Sequence, residues 1–304
     1  MDRPVKRVSI VMPTYNRGYC LAETIQSVLS QTYRAWELLV IDNMSRDNTK
    51  ELVEAFGDAR IKLRQVQNNG VIAVSRNCGI RAATGELVSF MDSDDPWLPE
   101  KLEISVRLLE TGMDFVYHDL YLTDGKQRSK KRTTKVSRRL KSPVLDDLIT
   151  NGNGINTSSV VTKTELVRRV NGFSESRELI GIEDYDLWVR LAAVTDKFGL
   201  ISSPMGYYTM DGSGTLNREL VERSLLSIAR LHNELHIRIC GATPGWINIA
   251  LARICLRKNP ADAMRMATKV LTGENRLGVR IKALVIVFLA LKERVGKVFS
   301  ERVR

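Results

Sequence analysis

Gly85–Glu100 reads GELVSFMDSDDPWLPE, and the fold turns on how this stretch is read. Leu87–Met91 is a short, mostly apolar run, the pattern of a strand buried on both faces. It passes straight into Asp92-Ser93-Asp94-Asp95. After Pro96-Trp97-Leu98-Pro99, apolar residues recur at Leu102, Val106 and Leu109, which predicts a helix. Three carboxylates at one strand end repel each other unless a cation or hydrogen-bond donors meet them. Hard oxygen ligands on a short turn suit Mg²⁺ or Mn²⁺, which take few protein carboxylates and leave room for substrate phosphates. An Asp-rich turn also serves as a solvated cap on the next helix, so this stretch alone leaves both readings open.

Upstream the same pattern repeats. Val8–Met12 is an apolar strand that ends in Pro13-Thr14-Tyr15-Asn16-Arg17, and Leu21, Ile25, Val28 and Leu29 then mark one helical face. Leu38–Ile41 is the next strand, ending in Asp42-Asn43-Met44-Ser45-Arg46-Asp47-Asn48, with a helix from about Thr49 to Phe56. Ile61–Val66 leads through Asn68-Asn69-Gly70 to a helix bearing Arg76 and Asn77. Downstream, Met113–His118, Thr157–Thr162 and Pro204–Thr209 read as strands. Strands alternating with helices predict an α/β fold with a mostly parallel sheet flanked by helices. Thr14-Tyr15-Asn16, Asp42-Asn43 and Asp92-Ser93-Asp94 then share the carboxyl edge of that sheet, where open α/β sheets bind ligands. Their acceptors suit a base, a ribose and a cation. Neither G-x-G-x-x-G nor G-x-x-x-x-G-K-[ST] is present, which removes most support for dinucleotide oxidoreductases and P-loop enzymes.

Gly181–Arg190, GIEDYDLWVR, opens a further helix with Leu187, Leu191 and Val194 on one face. Glu183, Asp184 and Asp186 fall in its first turn, where the helix dipole favours anions. From about Glu219 the pattern is helical only: Leu225, Ile228, Leu231 and Leu235 mark one helix, Trp246–Leu256 a second and Ala261–Leu271 a third. Ala283–Leu291 is a run of nine apolar residues flanked by Arg280, Lys282, Lys292, Arg294 and Lys297. Its simplest reading is a helix buried against its neighbours. The alternative is a helix lying in a membrane interface, the run being too short to span.

The chain has 304 residues, 43% of them hydrophobic, enough for one large domain or a domain with an appendage. Cys20, Cys78, Cys240 and Cys255 form no C-x-x-C pair, which argues against a zinc site or a disulfide framework and fits a reducing compartment. The first apolar run stops at Pro13, too short for the core of a signal peptide. A cytoplasmic protein is expected, with a peripheral seat at the inner face of the cell membrane as an open alternative. The net charge of +11 suits an anionic partner: phosphate-bearing substrates, an anionic membrane surface or nucleic acid. Aromatics are only 6% and no nucleic-acid motif is present, so no nucleic-acid partner is expected. Lys126–Lys141 holds many bases and no acid, and reads as a solvated loop or as an excursion that meets diphosphate, acceptor or lipid head groups.

Taken together these residues resemble the family 2 glycosyltransferases of GT-A fold, over roughly Val8–Thr215. Val8–Asn16 is similar to the family's opening strand and loop, Ser27–Tyr33 to the end of its first helix, and Ile41–Thr49 to its nucleotide-base turn. Ser75-Arg76-Asn77-Cys78-Gly79-Ile80 and Gly85-Glu86 resemble the approach to the D-x-D motif, which Asp92-Ser93-Asp94-Asp95 resembles itself. Asn171-Gly172-Phe173 and Glu183–Trp188 resemble its acceptor-site E-D motif. The resemblance implies a nucleotide-sugar donor (UDP or dTDP), one Mn²⁺ or Mg²⁺ ion, and inversion at the sugar C1. It implies Asp94 as metal ligand with Asp92 assisting, and Pro13, Thr14, Tyr15, Asp42, Asn43, Arg76 and Asp92 as nucleotide-binding residues. Asp184 would be the catalytic base, with Glu183 and Trp188 supporting the acceptor side. Acceptors would be glycans or lipid-linked glycans of the cell surface. A catalytic domain over 1–218 and a helical extension over 219–304 follow.

Two departures stand out. Asn43 occupies a position that is often Asp, and Tyr207-Tyr208-Thr209-Met210 stands where the family often carries Y-R-x-H, so the usual Arg and His are replaced by Tyr208 and Met210. Asp211 or the basic loop could supply what they lack. The motif of processive polymerases is absent, which implies transfer of a single sugar. The rivals are a sugar-nucleotide pyrophosphorylase, whose glycine-rich loop Pro13–Arg17 lacks, and a non-catalytic carbohydrate- or partner-binding relative.

Overall fold

The structure is a computed structural model that describes residues 5–123, 134–135, 137–210, 218–256, 258–273 and 277–302. The chain divides into two compact units. One comprises Met1–Val144, Gly154–Arg177 and Glu183–Thr215; the other comprises Leu145–Asn153, Glu178–Ile182 and Leu216–Arg304.

The first unit opens with β1 (Val8–Thr14), α1 (Gly18–Leu29), β2 (Trp36–Asp42), α2 (Thr49–Ala55), β3 (Ile61–Gln65), α3 (Ile72–Ala82), β4 (Leu87–Phe90) and α4 (Lys101–Glu110). β5 (Phe115–Thr123), β6 (Thr134–Lys135), β7 (Val161–Lys163), α6 (Thr164–Arg169), α7 (Glu183–Ala192) and β8 (Phe198–Thr209) follow, while α5 (Val144–Asn151), between β6 and β7 in sequence, belongs from Leu145 on to the other unit. The sheet order is β3-β2-β1-β4-β7-β5-β6, with β8 beside β5. β1 to β4 are parallel, and β5 and β8 are parallel to each other; only β7 and the two-residue β6 run against their neighbours. β1 and β2 are wholly buried, so their apolar runs face helices on both sides.

Register sets the functional edge. Val8 pairs with Trp36 and Thr14 with Asp42, so β1 and β2 end level. β4 lies on the other side of β1, and Met91 N–H donates to Val11 O at 3.1 Å. Because β7 alone reverses direction between β4 and β5, the end of β8 arrives at the same edge as the acidic turn. Gly79 lets α3 press onto β1: a Cβ there would stand 2.4 Å from Val11 Cγ1.

The expected strand over Thr157–Thr162 is only half a strand. Thr157–Ser159 is a 3₁₀ turn and pairing starts at Val161. Ser159 Oγ donates to Asn156 O at 2.6 Å, the local bond by which Ser and Thr draw the backbone out of a ladder. Of the basic stretch, residues 126–133 and 136 lie outside the described residues, as does Asp211. Its end packs on β5: Ser137 N–H donates to Asp119 Oδ1 at 2.6 Å and Tyr117 O–H to Arg138 O at 2.8 Å.

The second unit contains α8 (Arg218–Leu231), α9 (Asn233–Cys240), α10 (Gly245–Cys255), α11 (Pro260–Thr272) and α12 (Leu277–Arg302). The helix expected through Leu235 is two, broken at His232, whose φ of −102° and ψ of 20° leave helical geometry. The boundary near residue 218 is also less simple than expected. Leu145–Asn153 and Glu178–Ile182 pack with these helices, through Trp246 Nε1–H to Ile149 O at 3.0 Å and Ser224 O–H to Ile180 O at 2.7 Å. Among the described residues no helix is long and apolar enough to cross a membrane.

Candidate active site

At the ends of β1 and β2, Thr14 is buried and its Oγ1 has no hydrogen-bond partner. A buried hydroxyl left this way costs about 1–3 kcal/mol, which a bound ligand would recover. Pro13 is buried within the strand, and Tyr15 is exposed beside Thr14. Asn43 N–H donates to Thr14 O at 2.9 Å, and Asn43 Oδ1 accepts from Asn68 N–H at 2.8 Å. That second bond fixes which end of the amide is the carbonyl and leaves Nδ2 as a donor. Asp42 differs from its expected role. Its carboxylate is fully buried and accepts from Ser45 N–H at 3.2 Å, from the Ser45 hydroxyl, and from Gln65 Nε2 at 3.1 Å. Its oxygens are engaged within the turn that presents Asn43.

The acidic turn after β4 holds its three carboxylates in three environments. Asp95 is buried, accepting from Ser158 O–H at 2.7 Å and Thr209 N–H at 2.9 Å. Burial, then the charges of Asp92 and Asp94, push its pKa well above the usual carboxylate range. It ties the turn to the end of β8. Asp92 and Asp94 remain partly open, and Asp94 Oδ2 lies 3.4 Å from Arg17 Nη2. Tyr208 is close enough that, after burial, the charges of Asp95, Asp92, Asp94 and Asp184 all raise its phenol pKa. Two accessible hard-oxygen carboxylates in a field this negative fit a Mg²⁺ or Mn²⁺ ion. Among the described residues no group of three His, Cys, Asp or Glu side chains could hold such an ion, and Mg²⁺ or Mn²⁺ commonly completes its shell with waters or substrate oxygens.

Arg76 links this turn to α7. It is buried, and its guanidinium meets Asp92 Oδ1 at 3.0 Å and Glu183 Oε1 at 2.7 Å. The resemblance placed Arg76 on the nucleotide; both of its ends are instead engaged with carboxylates, because a buried guanidinium needs paired anions. Removing it takes the guanidinium at 2.7 Å away from the buried Glu183 carboxylate. Arg76→Ala is therefore expected to lower unfolding free energy by about 3–5 kcal/mol, measured by chemical denaturation. The approach of α3 to the chain before α7 is fixed by Asn77, which accepts from Phe173 N–H at 2.9 Å and donates to Phe173 O at 2.8 Å.

Asp184 follows Glu183 in the first turn of α7. Its Oδ2 accepts from Thr157 O–H at 3.0 Å and its Oδ1 from Tyr185 N–H at 2.6 Å. Burial and then the Glu183 carboxylate raise its pKa to about 6, against the pull of Arg76. Asp186 points elsewhere and is buried against Arg190 at 2.7 Å. Trp188 corrects the acceptor-side expectation: it is fully buried in an aromatic cluster, with ring centroids 5.0 Å from Phe115 and 6.3 Å from Phe90 and Phe173. Any support it gives the acceptor side therefore runs through the packing of α7.

The sequence reading assigns no site role to Arg17, Asp95, Thr157 or Ser158, and marks Tyr208 only as a replacement for an expected Arg. The others act through partners dozens of residues away, for which neither spacing nor periodicity carries a signal.

The model of "Glycosyl transferase family 2" matches residues 9–170. The Escherichia coli UDP-Glc:alpha-D-GlcNAc-diphosphoundecaprenol beta-1,3-glucosyltransferase WfgD is 43% identical over 111 residues, 36% of this chain and 44% of that protein. The chain thus spans less than half the length of that relative. Residues 1–349 of S. aureus TarS in complex with UDP superpose with a TM-score of 0.60 at 19% identity, over 95% of this chain and 92% of that one. The mannosyltransferase PcManGT from Pyrobaculum calidifontis, in complex with GDP-Man and Mn²⁺, gives 0.56 at 18% identity over 95% and 87%. At such identity the two structures speak for the fold, which is GT-A-like with a helical C-terminal region. With more than half the chain under the family model and the sheet edge built as described, this chain belongs to glycosyl transferase family 2.

Proposed function

We propose that this protein transfers one sugar from a nucleotide-diphosphate donor to a hydroxyl of a glycan or lipid-linked acceptor, with inversion at C1. The observation that carries this reading is Arg76, one buried guanidinium that joins the open carboxylate turn to the Glu183–Asp184 pair. The leaving-group side and the base side of the reaction are thereby held in fixed relation. Asp94 and Asp92 would hold Mg²⁺ or Mn²⁺, which when bound neutralises charge developing on the departing diphosphate. Thr14 Oγ1 and Asn43 Nδ2 are the polar groups aimed at the base, and Asn43 can donate to O4 of uracil or thymine. Thr157 and Tyr185 N–H orient the Asp184 carboxylate. Asp184 takes the proton of the acceptor hydroxyl, whose oxygen attacks C1 opposite the diphosphate. The C1–O bond breaks, and the nucleoside diphosphate leaves with the bonding pair.

The glucosyltransferase WfgD, by its name, acts on a sugar attached to diphosphoundecaprenol, and TarS was solved with UDP, which favours a UDP-sugar and a lipid-linked acceptor here. The pyrophosphorylase alternative is not favoured, because the loop Pro13–Arg17 lacks glycines that would cradle phosphate. A thermal-shift panel of nucleotide sugars with Mn²⁺ tests the reading. A UDP- or dTDP-sugar at about 100 times its Kd should add about 2.7 kcal/mol of stability, and a sugar acceptor should then release free nucleoside diphosphate. If no nucleotide sugar shifts the transition, the proposal fails; donor binding without nucleotide release on any acceptor would leave a non-catalytic relative.

A further inference from the structure

α12 is apolar on two faces. On its inner face Ala283, Ile286 and Ala290 are buried, and Ala283 and Ile286 meet a helical core of Ile249, Ala252, Ala263, Ala267 and Val270, with Val279 and Val287 packed against it. A second set of bulky apolar side chains points the other way. Leu277, Ile281, Leu284, Val285, Phe288 and Leu291 are all exposed, Phe288 at 68%. At about 100° per residue these six fall within an arc of about 120°, a continuous stripe about 21 Å long. A water-soluble helix places such residues inward and its small or polar ones outward.

Charge frames the stripe. On the same helical projection Arg280 lies at one side and Lys282 at the other, and Lys292, one residue past Leu291, falls within the arc of the stripe at its end. From Leu277 to Leu291 the helix has no acid. Arg280 also donates to Leu271 O at 3.1 Å, which fixes the turn before the helix and so the direction in which the stripe faces. A second copy is a poor occupant. A two-fold interface on this face would set the same cations against each other, on chains of +11 each. No described helix is long and apolar enough to span, so the stripe has a surface to lie on, not a bilayer to cross.

We propose that the outer face of α12 seats the protein on an anionic lipid surface, with the helix axis in the plane of the headgroups. Leu284, Phe288 and their neighbours sink into the acyl boundary, and Lys282 and Lys292 extend along apolar stems to anionic headgroups. The inference stands on the second unit alone and does not depend on the donor or the acceptor.

The test is flotation of the full chain with phosphatidylcholine vesicles, with and without phosphatidylglycerol. Wild type should float with the anionic vesicles, and added salt should weaken this as screening shortens. Leu284→Glu/Phe288→Glu should remain in the bottom fraction while its thermal unfolding by circular dichroism stays unchanged, since both side chains are exposed. Lys282→Gln/Lys292→Gln should bind anionic vesicles about 25-fold more weakly, about five-fold per lysine. Failure of wild type to float, equal flotation of the Glu variant, or equal binding to both vesicle types overturns the proposal. So does a wild-type dimer in sedimentation that the Glu variant splits without any vesicle binding, which would assign the face to a second copy.

Discussion

Asp94→Ala abolishes transfer and removes the Mn²⁺ dependence of nucleotide binding: that is the expected result with the largest effect. Asp94 is a carboxylate of the acidic turn that is both accessible and outside the Arg76 bridge, and its described ion pair, to Arg17 at 3.4 Å, is long and partly exposed. Exposed pairs are worth at most about 1 kcal/mol, so the substitution should leave the fold standing. The rate loss comes from charge on the leaving diphosphate that is no longer neutralised. A metal ion supplies several kcal/mol there, so a fall of about 10³-fold or more is expected. Asp95→Ala provides the contrast. It strands Ser158 and the β8 end, and should lower stability first. Titrating UDP with and without Mn²⁺ decides the matter. If the Asp94 variant binds UDP as tightly as wild type, and the metal still tightens it, the metal assignment is wrong.

Asp184→Asn is expected to cut kcat by about 10²–10⁴-fold, the usual worth of a positioned general base. Asparagine keeps the volume, its Oδ1 can still accept from Tyr185 N–H and its Nδ2 can donate to the Thr157 hydroxyl, so donor affinity should survive. The pH profile adds a second reading. Asp184 works as the ionised base and its pKa is raised to about 6, so wild-type kcat should climb with pH through about 6 and level off above it. The variant's residual rate should lack that step. The same shift has an opposite consequence for stability. A carboxylate whose folded pKa lies above its unfolded value stabilises the fold at low pH, and loses that contribution as pH rises through about 6. The variant should therefore be no less stable than wild type at pH 8, which separates lost chemistry from lost folding. Near-normal turnover in Asp184→Asn with loss in Glu183→Gln would move the base to the residue that Arg76 holds. Normal turnover in both would place it elsewhere.

The layout of the sheet was legible because it rests on local signals. Short apolar runs, each ending in polar residues, mark β1, β2 and β4, and register then brings Thr14, Asn43 and Asp92 to one edge. The direction in which individual polar side chains turn was not legible. Asp42 and Asn43 are adjacent and alike in polarity, yet Asp42 turns into its own loop and Asn43 keeps an amide donor free of it. Arg76 meets a carboxylate 107 residues away, and no pattern within either segment announces it. Trp188 misled for a different reason. Most of α7 is buried, including Tyr185, Leu187, Val189 and Leu191, so a motif that resembles an acceptor site also doubles as core packing. The helical end was ambiguous because a nine-residue apolar run serves two faces at once, with Ala283, Ile286 and Ala290 toward the neighbours and Leu284, Val285 and Phe288 away from them.

The clamp between Asp95 and the end of β8 has a consequence in time. Thr209 N–H is 114 residues downstream of the carboxylate that receives it. At the ribosome, with chain growth of about 5–20 residues per second, that interval is roughly 6–23 s. β1 to β4 can pair during it, but the acidic turn must wait with its buried partner missing. Nascent chains that stop short of β8 should therefore carry an early, local sheet whose carboxylate edge is still open to proteases.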